Sequence, residues 1–253
     1  MGLAYFSHNG KQIAFIDEGD GEPIVLVHGF ASNFVTNWIG PGWVKTLTEA
    51  GYRVLALDNR GHGRSFKSHD PEDYYPAKMA SDVTALLDHL GIRRAHVKGY
   101  SMGARISAFA ALAQPGRVSS LVFGGLGINM VRGVGDWEPV AEALLTDDPQ
   151  SITNKNALAF RAFADQTRSD RKALAACIKT SRELATPGQI SSIEAPALVA
   201  VGTNDDIAGS PHALADLLPN GEAFDIEGRD HMLSVGDRRF KDKVISFLRE
   251  NSI

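Results

Sequence analysis

A single cysteine, Cys177, stands in 253 residues. That scarcity excludes an internal disulfide framework and any zinc site built on several cysteines, and it fits a reducing compartment. Cys177 itself reads as a small buried apolar residue rather than a catalyst, the usual place of a free thiol. Charge of one sign is also lacking, since 26 Lys and Arg stand against 30 Asp and Glu for a formal net charge of -4, with no basic run. A broad nucleic-acid surface is therefore not expected, which leaves a small-molecule substrate as the partner class. Long apolar runs are missing too. The longest nearly apolar stretch, residues 121–131, is interrupted by glycines and is too short to cross a bilayer. The first residues lack the basic-then-apolar pattern of an export signal, so a cytoplasmic protein without membrane attachment is expected. Neither a repeat nor a low-complexity linker divides the chain. With 43% apolar and 22% charged residues, one main domain with a large core follows.

What is present is an alternation of short apolar runs and helical patterns. Residues 3–7 and 12–16 flank His8-Asn9-Gly10-Lys11, a hairpin signal of turn residues between two strands. Residues 24–27 form a continuous apolar run, suited to a strand buried on both faces of a parallel sheet, and further strands are expected at 53–57, 95–98, 118–123 and 197–201. A last strand is expected at 223–226. Between them lie helical patterns at 43–50, 76–90, a stretch following residue 101, 210–218 and a closing helix from Asp237. Such alternation implies a mostly parallel, doubly wound α/β sheet with right-handed crossovers. The alternation breaks between residues 127 and 194, where helices are expected at 137–145, 148–165 and 169–184 with no strand. Insertions at the carboxyl ends of strands are where such sheets bind ligands.

The strand at 95–98 runs into Gly99-Tyr100-Ser101-Met102-Gly103 and then an alanine-rich helix. A strand that turns straight into a helix crowds two backbones around one residue, and glycines on both sides relieve the collision. Ser101 is left at the tip of that turn as a candidate nucleophile. Taken alone, the pattern fits a serine that merely caps a helix about equally well. The loop Asp58-Asn59-Arg60-Gly61-His62-Gly63-Arg64-Ser65 lacks the Gly-Lys-Ser/Thr ending of a P-loop and the G-x-G-x-x-G order of a dinucleotide site, so it is read as structural. Its charged residues, Asp58, Arg60 and Arg64, are expected to pin it.

Five motifs follow predicted strands in a fixed order: His28-Gly29-Phe30, the Asp58 loop, Gly99 to Gly103, Gly202 with Asp205 three residues on, and Asp230-His231. On these the chain resembles the α/β-hydrolase fold over nearly its whole length, and within it the branch of serine esterases, enol-lactonases and cofactor-free haloperoxidase-like enzymes. The resemblance implies a mostly parallel sheet of about eight strands with a small helical cap: a core at 1–126 and 195–253 and a cap, or lid, at 127–194. It also implies the chain order Ser, Asp, His for the chemical residues. A serine hydroxyl needs an adjacent base, an imidazole can take and return its proton, and a carboxylate holds the imidazole's tautomer. Ser101, His231 and Asp205 fill these roles by resemblance, with the neighbouring Asp206 as the fallback acid. Asp230 is expected to be solvated or structural. The backbone N–H groups of Phe30 and Met102 are the candidate oxyanion hole. Haloalkane dehalogenases and epoxide hydrolases of this fold use aspartate where this chain has Ser101.

The expected reaction is hydrolysis of a carboxylic ester through an acyl-enzyme, with neither metal nor organic cofactor required. The same triad serves lactone and carbon–carbon bond hydrolases, and a catalytically quiet ligand-binding protein on this fold is the alternative of another class. The expected substrate pocket is lined by Trp137, Phe160, Phe163 and Arg161. A cap arginine can clamp a substrate carboxylate through two parallel hydrogen bonds, whereas solvated helix faces account for the charges of Arg161, Arg168, Arg171, Lys172 and Arg182 without any ligand.

Overall fold

The computed structural model describes residues 2–253. The chain opens with a hairpin of β1 (Leu3–His8) and β2 (Lys11–Glu18), turned by Asn9 and Gly10, both at positive φ. It continues through β3 (Glu22–Val27), helix α1 (Trp43–Glu49), β4 (Tyr52–Leu57), α2 (Pro76–His89), β5 (Ala95–Tyr100), α3 (Met102–Ala113) and β6 (Val118–Gly124). Helices α4 (Asn129–Arg132), α5 (Glu138–Leu145), α6 (Lys155–Gln166), α7 (Arg171–Thr180) and α8 (Pro187–Ser191) come next. They are followed by β7 (Ala197–Gly202), α9 (Pro211–Ala215), β8 (Gly221–Ile226) and α10 (Arg238–Glu250). The eight strands form one sheet in the order β1-β2-β4-β3-β5-β6-β7-β8. From β4 to β8 all pairs are parallel, and only the β1 and β2 pairings are antiparallel.

The apolar runs become the strands buried on both faces. Ile24, Val25, Leu26 and Val27 are fully buried, as is every residue of β5, β6 and β7. Two apolar clusters result, one on each face of the sheet. Because side chains alternate along β5, Val97 joins the first cluster while Lys98 points into the second. There its ammonium lies 4.3, 3.8 and 4.7 Å from the ring centres of Trp38, Trp43 and Phe240, with no hydrogen-bond partner. Burial pushes its pKa well below that of an ordinary lysine.

The chain leaves β3 toward β4 on one side and crosses back to β5 on the other. Beyond the carboxyl ends of β3 and β5 the connections therefore diverge and open a crevice, the place where open α/β sheets bind ligands. The expected helix at 148–165 divides in two: a 3-10 turn over Pro149–Ser151, then α6 from Lys155. Asp148 caps the turn and Asn154 caps the helix, so each start has its own side-chain acceptor. Likewise α7 stops at Thr180 and α9 at Ala215, shorter than their patterns suggest. A π-helical turn at Val35–Ile39 and the short helices α4 and α8 leave too few residues for a periodic signal. Among the described residues no helix is long and apolar enough to cross a membrane.

Candidate active site

Ser101 sits at the end of β5 with φ 53° and ψ -114°, a conformation that costs energy for any residue with a Cβ. Tight packing holds it there. A Cβ on Gly103 would lie 1.9 Å from the Val27 carbonyl oxygen, and one on Gly99 would lie 2.1 Å from that of Gly103. Both flanking positions therefore exclude side chains. The Ser101 N–H donates to Gly124 O at 2.8 Å, and its hydroxyl caps no helix N–H. The helix-cap reading of this serine is set aside by that geometry. Alanines 104, 108, 110 and 111 are buried and let α3 approach the sheet closely.

His231 lies in the loop after β8, and its Nε2 is 3.1 Å from Ser101 Oγ. Its Nδ1 is 2.8 Å from Asp205 Oδ2. A carboxylate oxygen only accepts, so Nδ1 carries the proton and Nε2 is left as the acceptor facing the serine hydroxyl. The other carboxylate oxygen, Oδ1, accepts from the N–H groups of Ile207 and Ala208, each at 2.9 Å. Asp205 is thereby saturated, and its side chain is 0% exposed. Asp206, by contrast, points into solvent. The loops after β7 and β8 are joined by Asn204 N donating to Arg229 O at 2.9 Å, which brings the carboxylate and the imidazole within reach of each other. Asp230 accepts from the N–H groups of Met232 and Leu233 and so shapes the turn behind His231 rather than touching its ring.

The Phe30 loop is built with equal care. His28 is fully buried, with Nδ1 donating to Gly29 O at 2.7 Å and Nε2 accepting from Asn59 N at 2.9 Å. Burial pushes its pKa down to about 4. Gly29 N donates to Asn37 Oδ1. Asp58 accepts from Phe34 N and Arg64 N, while Arg60 makes a bidentate pair with Asp82 at 2.7 Å for both bonds. This glycine-spaced loop is thus a structural brace. Held between these supports, neither the Phe30 nor the Met102 N–H has an acceptor within the protein among the described residues. Both residues line the Ser101 cavity, and donors placed in this way can stabilise a developing oxyanion. Cys177 lies under this floor, with its Sγ 3.8 Å from Met102 Sδ and its thiol pushed up to about 12 by burial.

Ser101 opens into a largely apolar cavity of about 340 Å³ that also touches His231. Trp137, Phe160 and Phe163 line it, and Phe30, Phe160 and Trp137 form an edge-to-face series in which Phe30 and Phe160 are 5.8 Å apart and Phe160 and Trp137 are 5.2 Å apart. Arg161 does not line it. Its guanidinium is buried, donating to Ala143 O and Thr146 O and pairing with Asp165, so it ties α5 to α6. Consecutive helical residues point about 100° apart, and the turn that aims Phe160 inward aims Arg161 elsewhere. The arginine that does reach the cavity is Arg182, just beyond α7, stacked 3.6 Å over the Trp137 ring centre. In the sequence it stood within the expected helix at 169–184, one of several cap cations with nothing to single it out, whereas the structure ends α7 at Thr180, before it. Tyr100, Ile207 and Leu233 also line the cavity, through loop geometry that sequence periodicity does not carry.

Known proteins place these features in context. The family model described as alpha/beta hydrolase fold matches residues 22–161. The chain is 29% identical to the dihydrolipoyllysine-residue acetyltransferase component of an acetoin cleaving system from Pseudomonas putida, over 91% of this chain but only 64% of that protein. It is 24% identical to a non-heme chloroperoxidase from Kitasatospora aureofaciens, covering 96% of this chain and 98% of the other. Among solved structures, a hydrolase from Pseudomonas aeruginosa PA01 superposes with a TM-score of 0.80 at 25% identity, over 97% of this chain and 98% of that one. With more than half its length matched and the sheet order and strand-end loops in place, the chain belongs to the alpha/beta hydrolase family.

Proposed function

We propose that this protein is a serine hydrolase that cleaves a carboxylic ester of a small substrate through an acyl-enzyme, with Ser101, His231 and Asp205 as its triad. The observation that carries the reading is the unbroken chain from Asp205 Oδ2 through the imidazole to Ser101 Oγ, at 2.8 and 3.1 Å, ending in an apolar cavity. The Ser101 oxygen attacks the ester carbon as its proton passes to His231 Nε2. The resulting oxyanion accepts from Phe30 and Met102 N–H, each such donor contributing about 2.7–4 kcal/mol to barrier lowering. Collapse of the intermediate breaks the bond to the alcohol oxygen, which leaves with the proton from His231. Water then repeats the sequence on the acyl-enzyme, releasing the acid and restoring Ser101. No step requires a metal or an organic cofactor.

Residues 127–194 serve in this reading as a lid over the site, since Trp137, Phe160 and Phe163 from that segment form one wall of the cavity. The single buried thiol of Cys177 fits a cytoplasmic setting. Turnover of 4-nitrophenyl acetate, together with mass labelling of Ser101 by an organophosphonate, tests the proposal. The expected result is one label per chain and loss of both label and turnover in Ser101→Ala. Full activity in Ser101→Ala would refute it, and labelling without turnover of any ester or lactone would mark a quiet binding protein instead.

A further inference from the structure

The cavity that holds Ser101 is lined by apolar and neutral polar groups with one exception besides the catalytic imidazole: among the described residues, Arg182 is the only permanently charged side chain on its wall. Its flat face is covered by the Trp137 ring at 3.6 Å. The edge is not: among the described residues, no carboxylate, hydroxyl or carbonyl oxygen accepts from any of its N–H groups. The contrast with its neighbours is instructive. Arg161 is saturated by two carbonyls and Asp165, and Arg105 donates to the carbonyls of Met130, Glu183 and Asn129. A half-buried guanidinium fixed by stacking, lining the Ser101 cavity and with no acceptor for its N–H groups among the described residues, is arranged to receive a planar anion.

We propose that Arg182 recognises a carboxylate carried by the substrate, so that the protein prefers esters bearing a second, ionised carboxyl group. This rests on the ester-hydrolase reading of Ser101. A single guanidinium balances one negative charge. A carboxylate therefore leaves the apolar cavity neutral, whereas a phosphate dianion would leave one charge uncompensated there.

The surroundings favour an anion at this place. On the far side of the wall formed by Trp137 and Arg182 lies a second cavity of about 450 Å³, reached also by Arg105, Arg132 and Lys179 and by the acids Asp136 and Glu138. Neither acid lines the Ser101 cavity. Burial first, and the cationic Arg105 second, hold Arg182 down to about 9, so it remains a cation at neutral pH that an arriving anion relieves. The carboxylate can belong to the acyl part or to the alcohol part of the ester, and both present the same chemistry to Arg182.

The test compares kcat/KM for charged and neutral esters of matched shape. For the acyl side, the 4-nitrophenyl half-esters of butanedioic, pentanedioic and hexanedioic acids are set against their methyl-capped forms, with spontaneous hydrolysis subtracted. For the alcohol side, 4-acetoxybenzoate is set against its methyl ester. In at least one arm the charged ester is expected to be favoured on the order of 10- to 100-fold, and the favoured arm tells which side carries the carboxylate. That ratio should collapse in Arg182→Gln, be partly kept in Arg182→Lys, and shrink with added salt in the unmodified protein. Equal or lower rates for the charged esters in both arms, or a ratio that survives Arg182→Gln, would overturn the proposal. If no ester of either charge is turned over, the hydrolase reading fails separately. Calorimetric binding of pentanedioate then decides this one: weaker binding by Arg182→Gln supports it, and equal or absent binding by both proteins refutes it.

Discussion

Replacing Asp205 by asparagine is the sharpest test of the hydrogen-bonded chain, because the two oxygens of its carboxylate do different work. One faces two N–H donors, from Ile207 and Ala208, and the other faces a single donor, His231 Nδ1. An asparagine must place its oxygen at one position and its NH2 at the other. Setting the oxygen against two donors costs one mismatch, while the reverse costs two. The amide NH2 is therefore expected to face His231. The ring then relocates its proton to Nε2, so that an N–H points at Ser101 Oγ and no acceptor remains for the serine proton. Geometry is preserved and the tautomer is wrong. Such a change lowers kcat by about four decades in a serine hydrolase triad, a barrier increase of about 5 kcal/mol. Steady-state kinetics on 4-nitrophenyl acetate, with thermal unfolding as the control for folding, would measure it. Asp206→Asn, on an exposed side chain, should stay within about twofold of the unmodified protein. Retention of more than about a tenth of the activity by Asp205→Asn would refute the reasoning. A larger loss in Asp206→Asn would move the acid to that residue.

Further outcomes follow from the same structure. Gly103→Ala places a Cβ 1.9 Å from Val27 O and 2.7 Å from His28 O, backbone atoms that cannot move aside, so a loss above about 3 kcal/mol or failure to accumulate as soluble protein is expected. A thermal midpoint within about 3 °C of the unmodified protein would contradict this. His28 and His62, buried and held down to about 4 and about 3 by that burial, stay neutral in the folded chain while the unfolded chain protonates them near 6.5. The unfolded state thus binds more protons through this window, and stability should fall as pH drops from 6.5 toward 4, by up to about 1.4 kcal/mol per pH unit for each ring. Urea denaturation at pH 7, 5.5 and 4.5 checks the slope, and equal stability at all three values would exclude it. The lowered values of Asp73, Asp170 and Asp237 act below that range. Lys98→Met removes a buried, unpartnered amine at similar volume, and stability in the same assay should be equal or higher by on the order of 1 kcal/mol. A loss above about 2 kcal/mol would show instead that the aromatic cage of Trp38, Trp43 and Phe240 stabilises the cation.

The sheet was legible in the chain itself because strands buried on both faces favour unbroken apolar runs, and residues 24–27 and 197–201 have them. Ser101, Asp205 and His231 were singled out because each follows an expected strand in the order that the α/β-hydrolase resemblance implies, and Gly99, Gly103 and Gly202 sit where a Cβ would meet backbone atoms. The segment between β6 and β7 was read less well. Its helical elements begin at side-chain caps such as Asp148, Asn154 and Asp170, which divide a continuous-looking pattern without altering its polarity.

What the sequence by itself determined, then, is the fold, read from periodicity and strand ends, while the order Ser101, Asp205, His231 and the preference for Asp205 over Asp206 came from the resemblance to the α/β-hydrolase fold. Which arginine faces the cavity was decided only by tertiary structure. Arg161 and Arg182 carry the same charge in the same segment between β6 and β7, yet the carbonyls of Ala143 and Thr146 saturate one, while the other, stacked on Trp137, lines Ser101's cavity. A side chain's partners are set by what the rest of the chain brings to it, and those groups come from positions that no local pattern connects.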